Sequence, residues 1–181
     1  LTDCLILVNN EDYSRAVTKK FPAAHIVKID GVGVDLSRFV PIEPETKKGL
    51  REAAGFEADA FILLCVAEFT KNKNQAFLIH AVKELLPAVP ELRLLLVGKG
   101  DQLENCNTIV QDLGLESSVF FLGYRDDIPF LCQISDVMVS ASHREGLPIN
   151  IVEGMACGLP TICTRVRGHV DLVEDNETGI L

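Results

Sequence analysis

The chain has 181 residues, with 17 Lys and Arg against 26 Asp and Glu, for a net charge of −9. That acidity, with no basic run to track phosphates, argues against a surface that coats nucleic acid. An apolar fraction of 48% and a charged fraction of 24% fit one globular domain, or one domain plus a piece of another.

The longest apolar stretches, Ala60–Ala67 and Leu94–Gly98, are far too short to cross a bilayer, and no signal peptide opens the chain. It begins on Leu rather than Met and stops on an apolar run, so it reads as an excerpt. Cys4–Val8 reads as a first strand, Asp12–Phe21 as a helix and His25–Ile29 as a second strand. The segment Gly31-Val32-Gly33-Val34-Asp35 then interrupts the alternation, with Pro41 and Pro44 close behind. Two glycines there suit a hinge, and we place a domain boundary near residue 35.

After the boundary a helix is expected over Pro44–Ala54 and a strand over Phe61–Val66. Asn74–Leu86 follows as a helix, with Asn74 as its cap and a 3.6-residue period through Ala76, Phe77, Ile79, His80, Val82 and Lys83. Arg93–Val97 is a strand, Asp101–Leu113 a helix with an Asp cap and Gly114 as its stop, and Val119–Leu122 a strand. Asp127–Ile134 and Pro148–Cys157 are helices, the second with Pro at its first position and Gly158 just past its end. Val137–Ala141 and Pro160–Cys163 complete the strands. Strands alternating with helices imply parallel pairing through right-handed crossovers. Their near-continuous Leu, Val and Ile content implies a sheet buried on both faces. The fold class is α/β, a doubly wound, mostly parallel Rossmann-like sheet.

The six cysteines form no C-x-x-C pair and mostly lie inside apolar segments, which favours buried, reduced thiols of a cytosolic protein over a disulfide framework or zinc site. No His, Asp or Glu spacing suggests a metal. No P-loop occurs, and Gly98-x-Gly100 lacks a third glycine because position 103 is Leu. NAD and FAD are rejected on that ground, and the glycine pair reads as a tight strand-to-helix turn.

Ligands of a doubly wound sheet bind beyond the carboxyl ends of its strands. The segments that follow the strands here carry Glu68, Lys71 and Lys73; Gly98-Lys99-Gly100; Gly123-Tyr124-Arg125-Asp126-Asp127; His143-Arg144-Glu145-Gly146; and Arg165, Arg167 and His169. In an acidic chain, such basic loops point to a small phosphate-bearing ligand. The helix from Pro148 is apolar on nearly every side yet contains Glu153, on one stripe with Asn150 and Cys157. A buried carboxylate needs a partner, either a core cation or the hydroxyls of a ligand. The helix start at Gly146-Leu147-Pro148 offers backbone N–H groups to an anion. A carboxylate for hydroxyls beside amides for phosphate describes a nucleoside diphosphate with its ribose.

Glu145 and Glu153, seven residues intervening, are followed by Gly154-Met155-Ala156-Cys157-Gly158-Leu159-Pro160. With Arg167-Gly168-His169-Val170-Asp171-Leu172-Val173, Asn176-Glu177-Thr178-Gly179 and the segment Gly31–Asp35, this resembles the group 1 glycosyltransferases, retaining enzymes of the GT-B fold. The resemblance covers essentially the whole chain. It implies that residues 1–35 are the end of an acceptor-side domain with its hinge, and 36–181 a nucleotide-sugar donor-binding domain truncated at its C-terminus.

It further implies transfer of a sugar from a UDP- or GDP-linked donor to a glycan or lipid-linked acceptor, with retention and without a metal or other cofactor. Glu153 would bind the donor ribose, Glu145 would lie at the donor sugar as the catalytic residue, and Lys73 would bind the diphosphate. The backbone of Gly146, Leu147 and Pro148 would face sugar and phosphate oxygens, and Gly123, Tyr124 and Arg125 would lie against the base. His143, Arg144 and His169 are placed in loops lining the crevice, whereas His25 and His80 are given surface or core positions. A cytoplasmic enzyme of polysaccharide synthesis, peripheral to the membrane in its full length, is the expected setting.

One position departs from the family pattern. Ala67-Glu68 stands where Gly-Arg is common, so a carboxylate replaces a phosphate-binding cation. Glu68 is expected either to turn into an ion pair or to be compensated by Lys71, Arg144 or Arg165. The rival readings are another GT-B enzyme, such as a nucleotide-sugar epimerase, and a sugar-nucleotide-binding subunit without catalysis.

Overall fold

The computed structural model describes residues 2–181. The chain first forms β1 (Thr2–Leu7), α1 (Asn10–Thr18) and β2 (Ala23–Lys28), with β1 and β2 paired in parallel as a separate two-stranded sheet. Asn9 starts α1, its side-chain oxygen accepting from the Asp12 N–H at 2.8 Å. The helix therefore begins two residues before the expected Asp12. It stops at Thr18 rather than Phe21, which is left exposed.

A loop through Gly31 and Gly33 leads to α2 (Pro44–Ala53), and along it Val34 and Phe39 already pack into the core of the larger sheet. Then follow β3 (Phe61–Val66), α3 (Gln75–Leu85), β4 (Leu92–Val97), α4 (Leu103–Leu113), β5 (Val119–Gly123), α5 (Ile128–Ile134), β6 (Val137–Ser140), α6 (Ile149–Ala156), β7 (Thr161–Cys163) and β8 (Gly179–Ile180). The six strands run in the order β5-β4-β3-β6-β7-β8, all parallel. No described helix is long and apolar enough to cross a membrane.

The α/β expectation holds, and the strand sequences show why. Side chains alternate between faces. In β4, Leu92, Leu94 and Leu96 enter one core with Ile79, Val82, Cys106 and Val110 of α3 and α4, while Leu95 and Val97 enter the other with Leu131, Ile134 and Ile151 of α5 and α6. Both faces are covered, so from Leu94 to Val97 the strand reads as a continuous apolar run, broken only by Arg93 near its start. Five of the six cysteines are buried in these cores, and only Cys4 is exposed. Burial pushes the Cys65 thiol up to about 12 and the Cys163 thiol to about 11, so both are held as inert thiols.

Three further helix starts differ from expectation. Asn74 precedes α3 in the left-handed region (φ 53°) and makes no capping bond, whereas a capping Asn sits in extended backbone. Asp101 is not the cap of α4, which begins at Leu103 after Gln102, again without a side-chain cap. Pro148 stands just outside α6 with extended backbone (ψ 94°) instead of at its first helical position. The strand β8 was not foreseen, because two residues carry no alternation.

Candidate functional site

The sheet order fixes where a crevice opens. From β3 the chain proceeds outward to β4 and β5, then returns to β6 on the other side of β3. The loops after β3 and β6 therefore diverge at the carboxyl edge, the topological switch point at which doubly wound sheets take ligands.

Three contacts tie those loops together. The His143 N–H donates to the Asn72 carbonyl at 2.8 Å, and the Asn72 side chain donates to the Arg144 carbonyl at 2.9 Å. Lys73 Nζ donates to Glu145 Oε1 at 2.6 Å. Glu145 is 9% exposed, and Lys73 is its cation. The structure thus joins two predicted site residues that lie 72 positions apart in the chain.

Glu153 sits half-buried on α6 and makes neither a hydrogen bond nor an ion pair with the described residues. Its burial raises its carboxyl above the ordinary glutamate range, with the charge of Arg38 opposing that shift. So it is not consumed by a core cation. Pro148 is buried, while Gly146 and Leu147 are half-buried at the start of α6, which no side chain caps.

A hollow of about 480 Å³ lies beyond β3, β4 and β5. It is lined by Glu68, Gly98, Lys99, Tyr124, Arg125 and Ile128 among others. Tyr124 is 74% exposed, and its ring lies 5.8 Å from Lys99 Nζ. Arg125 is held by Asp127, its Nε donating at 2.7 Å, and this pairing keeps the Asp127 carboxyl below its ordinary range. The glycine pair acts as a packing device: a Cβ on Gly98 would lie 2.0 Å from the Ala67 carbonyl oxygen. Its absence lets the loops after β3 and β4 run side by side, with Phe69 N–H donating to the Lys99 carbonyl at 2.8 Å.

Glu68 is exposed on the wall of this hollow and forms no ion pair with the described residues. The expected ion pair is therefore not formed. Neither Lys71, Arg144 nor Arg165 lines the hollow with it; Lys99 and Arg125 do. His169 is also placed differently from expectation. It is fully buried beneath the loop, its Nδ1–H donating to the Thr164 carbonyl at 2.8 Å while Nε2 has no partner. Burial lowers its pKa below the ordinary histidine value. His25 and His80 are exposed.

The sequence reading did not foresee a bridge from the first sheet. Arg167 donates from Nε to the Glu145 carbonyl at 3.1 Å and pairs through its other nitrogen with Asp12 of α1. Asn9 donates to the Gly146 carbonyl at 3.2 Å. These partners lie on opposite sides of the expected boundary at residue 35, so no local pattern announces them.

The family model for glycosyl transferases group 1 matches residues 46–181. The chain belongs to this family. It is 44% identical over 180 residues to EpsD of Bacillus subtilis, named as a glycosyltransferase, covering 99% of this chain and 47% of that one. It is 31% identical over 186 residues to a GDP-mannose-dependent alpha-(1-6)-phosphatidylinositol monomannoside mannosyltransferase of Mycolicibacterium smegmatis, covering 98% of this chain and 48% of that one. Anabaena HepE, solved in complex with UDP and glucose, superposes with a TM-score of 0.87 at 27% identity, covering 99% of this chain and 49% of that one. The fold is that of GT-B glycosyltransferases, and the chain spans about half the length of the curated relatives it matches.

Proposed function

We propose that this chain is the donor-binding part of a retaining glycosyltransferase that moves a sugar from a UDP- or GDP-linked donor to a glycan or lipid-linked acceptor. The observation that carries the reading is the pairing of Lys73 with Glu145 at 2.6 Å across the switch point, together with a Glu153 on α6 that has no cation partner. The similarity to HepE, solved with UDP and glucose, and to a GDP-mannose-dependent enzyme supports a nucleotide-sugar donor and leaves both bases in play.

In this reading Glu153 accepts from the ribose hydroxyls, and its desolvation makes such donors valuable to it. Lys73 turns from Glu145 toward the diphosphate, which frees the Glu145 carboxylate for the donor sugar. The N–H groups of Gly146 and Leu147 and the uncapped start of α6 receive phosphate and sugar oxygens. Fixed dipoles and a lysine stabilise charge on the departing phosphate without a metal. Gly123, Tyr124 and Arg125, with Lys99, form the wall for the base, and His143 and Arg144 flank the donor sugar. Residues 1–35 belong to the acceptor-side domain and 36–181 to the donor domain. The setting is cytoplasmic polysaccharide synthesis, with the complete enzyme peripheral to a membrane.

The test is product analysis of the complete enzyme with a donor labelled in its sugar. Label moving into an acceptor, with the anomeric configuration of the donor kept, is the expected result. An altered sugar nucleotide formed without acceptor would instead identify an epimerase. Nucleotide binding without any turnover would identify a non-catalytic subunit.

A further inference from the structure

A cleft of about 440 Å³ separates α1 from the loops after β6 and β7. Its polar lining is Glu11, Arg15, His143, Arg144, Arg165 and Arg167. The chain has eight arginines in all, and four of them meet here in a molecule of net charge −9. Glu11 is the only carboxylate on this wall; with Asp12 and Asp175, the partners of two of the arginines, the sum is 4 − 3 = +1 with histidine neutral.

Two of the guanidiniums have carboxylate partners: Arg165 pairs with Asp175, and Arg167 with Asp12. Arg15 and Arg144 are exposed and form no ion pair with the described residues. Guanidinium forks match phosphate oxygens in pairs, which the point charge of a lysine does not. Arg15 and Arg144 thus present two unengaged guanidinium forks to one cleft, which an anion of several oxygens can bridge.

The position of the cleft adds a direction. Arg15 comes from the first sheet's helix and the other three from the second domain, so an anion here would be held from both sides. Arg167 also donates to the Glu145 carbonyl, so one wall of the cleft is the loop that carries Glu145. Lys73, the cation assigned to the donor diphosphate, does not line this cleft. Its volume falls within the range of small-molecule sites.

We infer that this cleft binds a phosphate or pyrophosphate group carried by the acceptor substrate. The inference rests on the glycosyltransferase reading for the word acceptor; the anion site itself stands on the arginines. A soluble sugar phosphate and a lipid-borne phosphate share this chemistry.

The test is calorimetric titration of the chain with inorganic pyrophosphate while the donor site is filled by whichever of UDP or GDP binds. The variant is Arg15→Ala, and circular dichroism together with nucleotide affinity reports that it folds as the parent does. The expected result is at least a tenfold loss of pyrophosphate affinity with nucleotide affinity unchanged. Equal pyrophosphate affinity in parent and variant, or no binding by the parent, overturns the inference. If neither nucleotide binds, the functional reading fails by itself and the pyrophosphate titration is read alone. Glucose 6-phosphate, and phosphatidylcholine vesicles with and without phosphatidic acid, then identify the source. Arginine-dependent binding of either one supports the site, and arginine-independent binding of both counts against it.

Discussion

Lys73 and Glu145 form a pair whose two members are unequally exposed, 24% and 9%. Removing the lysine leaves a nearly buried carboxylate alone. Lys73→Met is expected to cost about 2–3 kcal/mol, less than the roughly 3–5 kcal/mol of a fully buried pair because the lysine keeps some water. Adding Glu145→Gln should recover most of that loss, which urea unfolding of the two single variants and the double variant would measure. Glu153 makes a prediction of the opposite kind. Burial raises its folded-state pKa, so its favourable contribution is full below the unfolded value and is lost as pH rises through the folded one. Glu153→Gln does not titrate, and should gain stability relative to the parent between about pH 4 and pH 7. Urea unfolding across that range that shows a constant difference would contradict this. The acidic pair was legible in the sequence because Glu153 interrupts an apolar helix and Glu145 follows a strand. The partner of Glu145 was not, since nothing local links positions 73 and 145. The burial of His169 was equally hidden, because a loop histidine reads as exposed until the packing is known.

At the scale of elements, apolar runs placed every strand of more than two residues to within two residues at each end, although only those of the larger sheet are covered on both faces and β1 and β2 are mostly exposed. Helix starts were less legible. Asn74 and Asp101 have capping chemistry, but the backbone at Asn74 is left-handed and α4 begins two residues beyond Asp101. The core itself predicts clear costs. Leu95 is fully buried between α5, α6 and the sheet, and Leu95→Ala should destabilise by about 3–4 kcal/mol without changing the denaturant m-value. Gly98 has φ +140° and no room for a methyl group against the Ala67 carbonyl. Gly98→Ala is therefore expected to cost at least about 2 kcal/mol and to weaken nucleotide binding, since the loops after β3 and β4 must separate. Equilibrium unfolding and a nucleotide titration of the same variant would check both effects.

The whole molecule is a six-stranded core joined to a much thinner unit of two strands and one helix. The switch point beyond β3 and β6 belongs entirely to the larger part. The smaller sheet exposes Ile6, Val17, Phe21 and Val27 and buries only Ala16 among its apolar residues. Two strands of a parallel sheet are marginal alone, and here they are tethered to the larger part through Asn9, Asp12 and Arg167. The 181-residue chain should accordingly bind a nucleoside diphosphate and transfer no sugar, and a labelled-donor assay that found transfer would refute that division of labour. The most direct test of the account is thermal unfolding of the chain with UDP and with GDP, in parent and Glu153→Ala forms. At about a hundred times its dissociation constant, one nucleotide should add roughly 2.7 kcal/mol, a rise of about 5–10 °C, and should add nothing to the variant. No rise with either nucleotide, or an equal rise in Glu153→Ala, would contradict the assignment of this edge of the sheet to a sugar nucleotide.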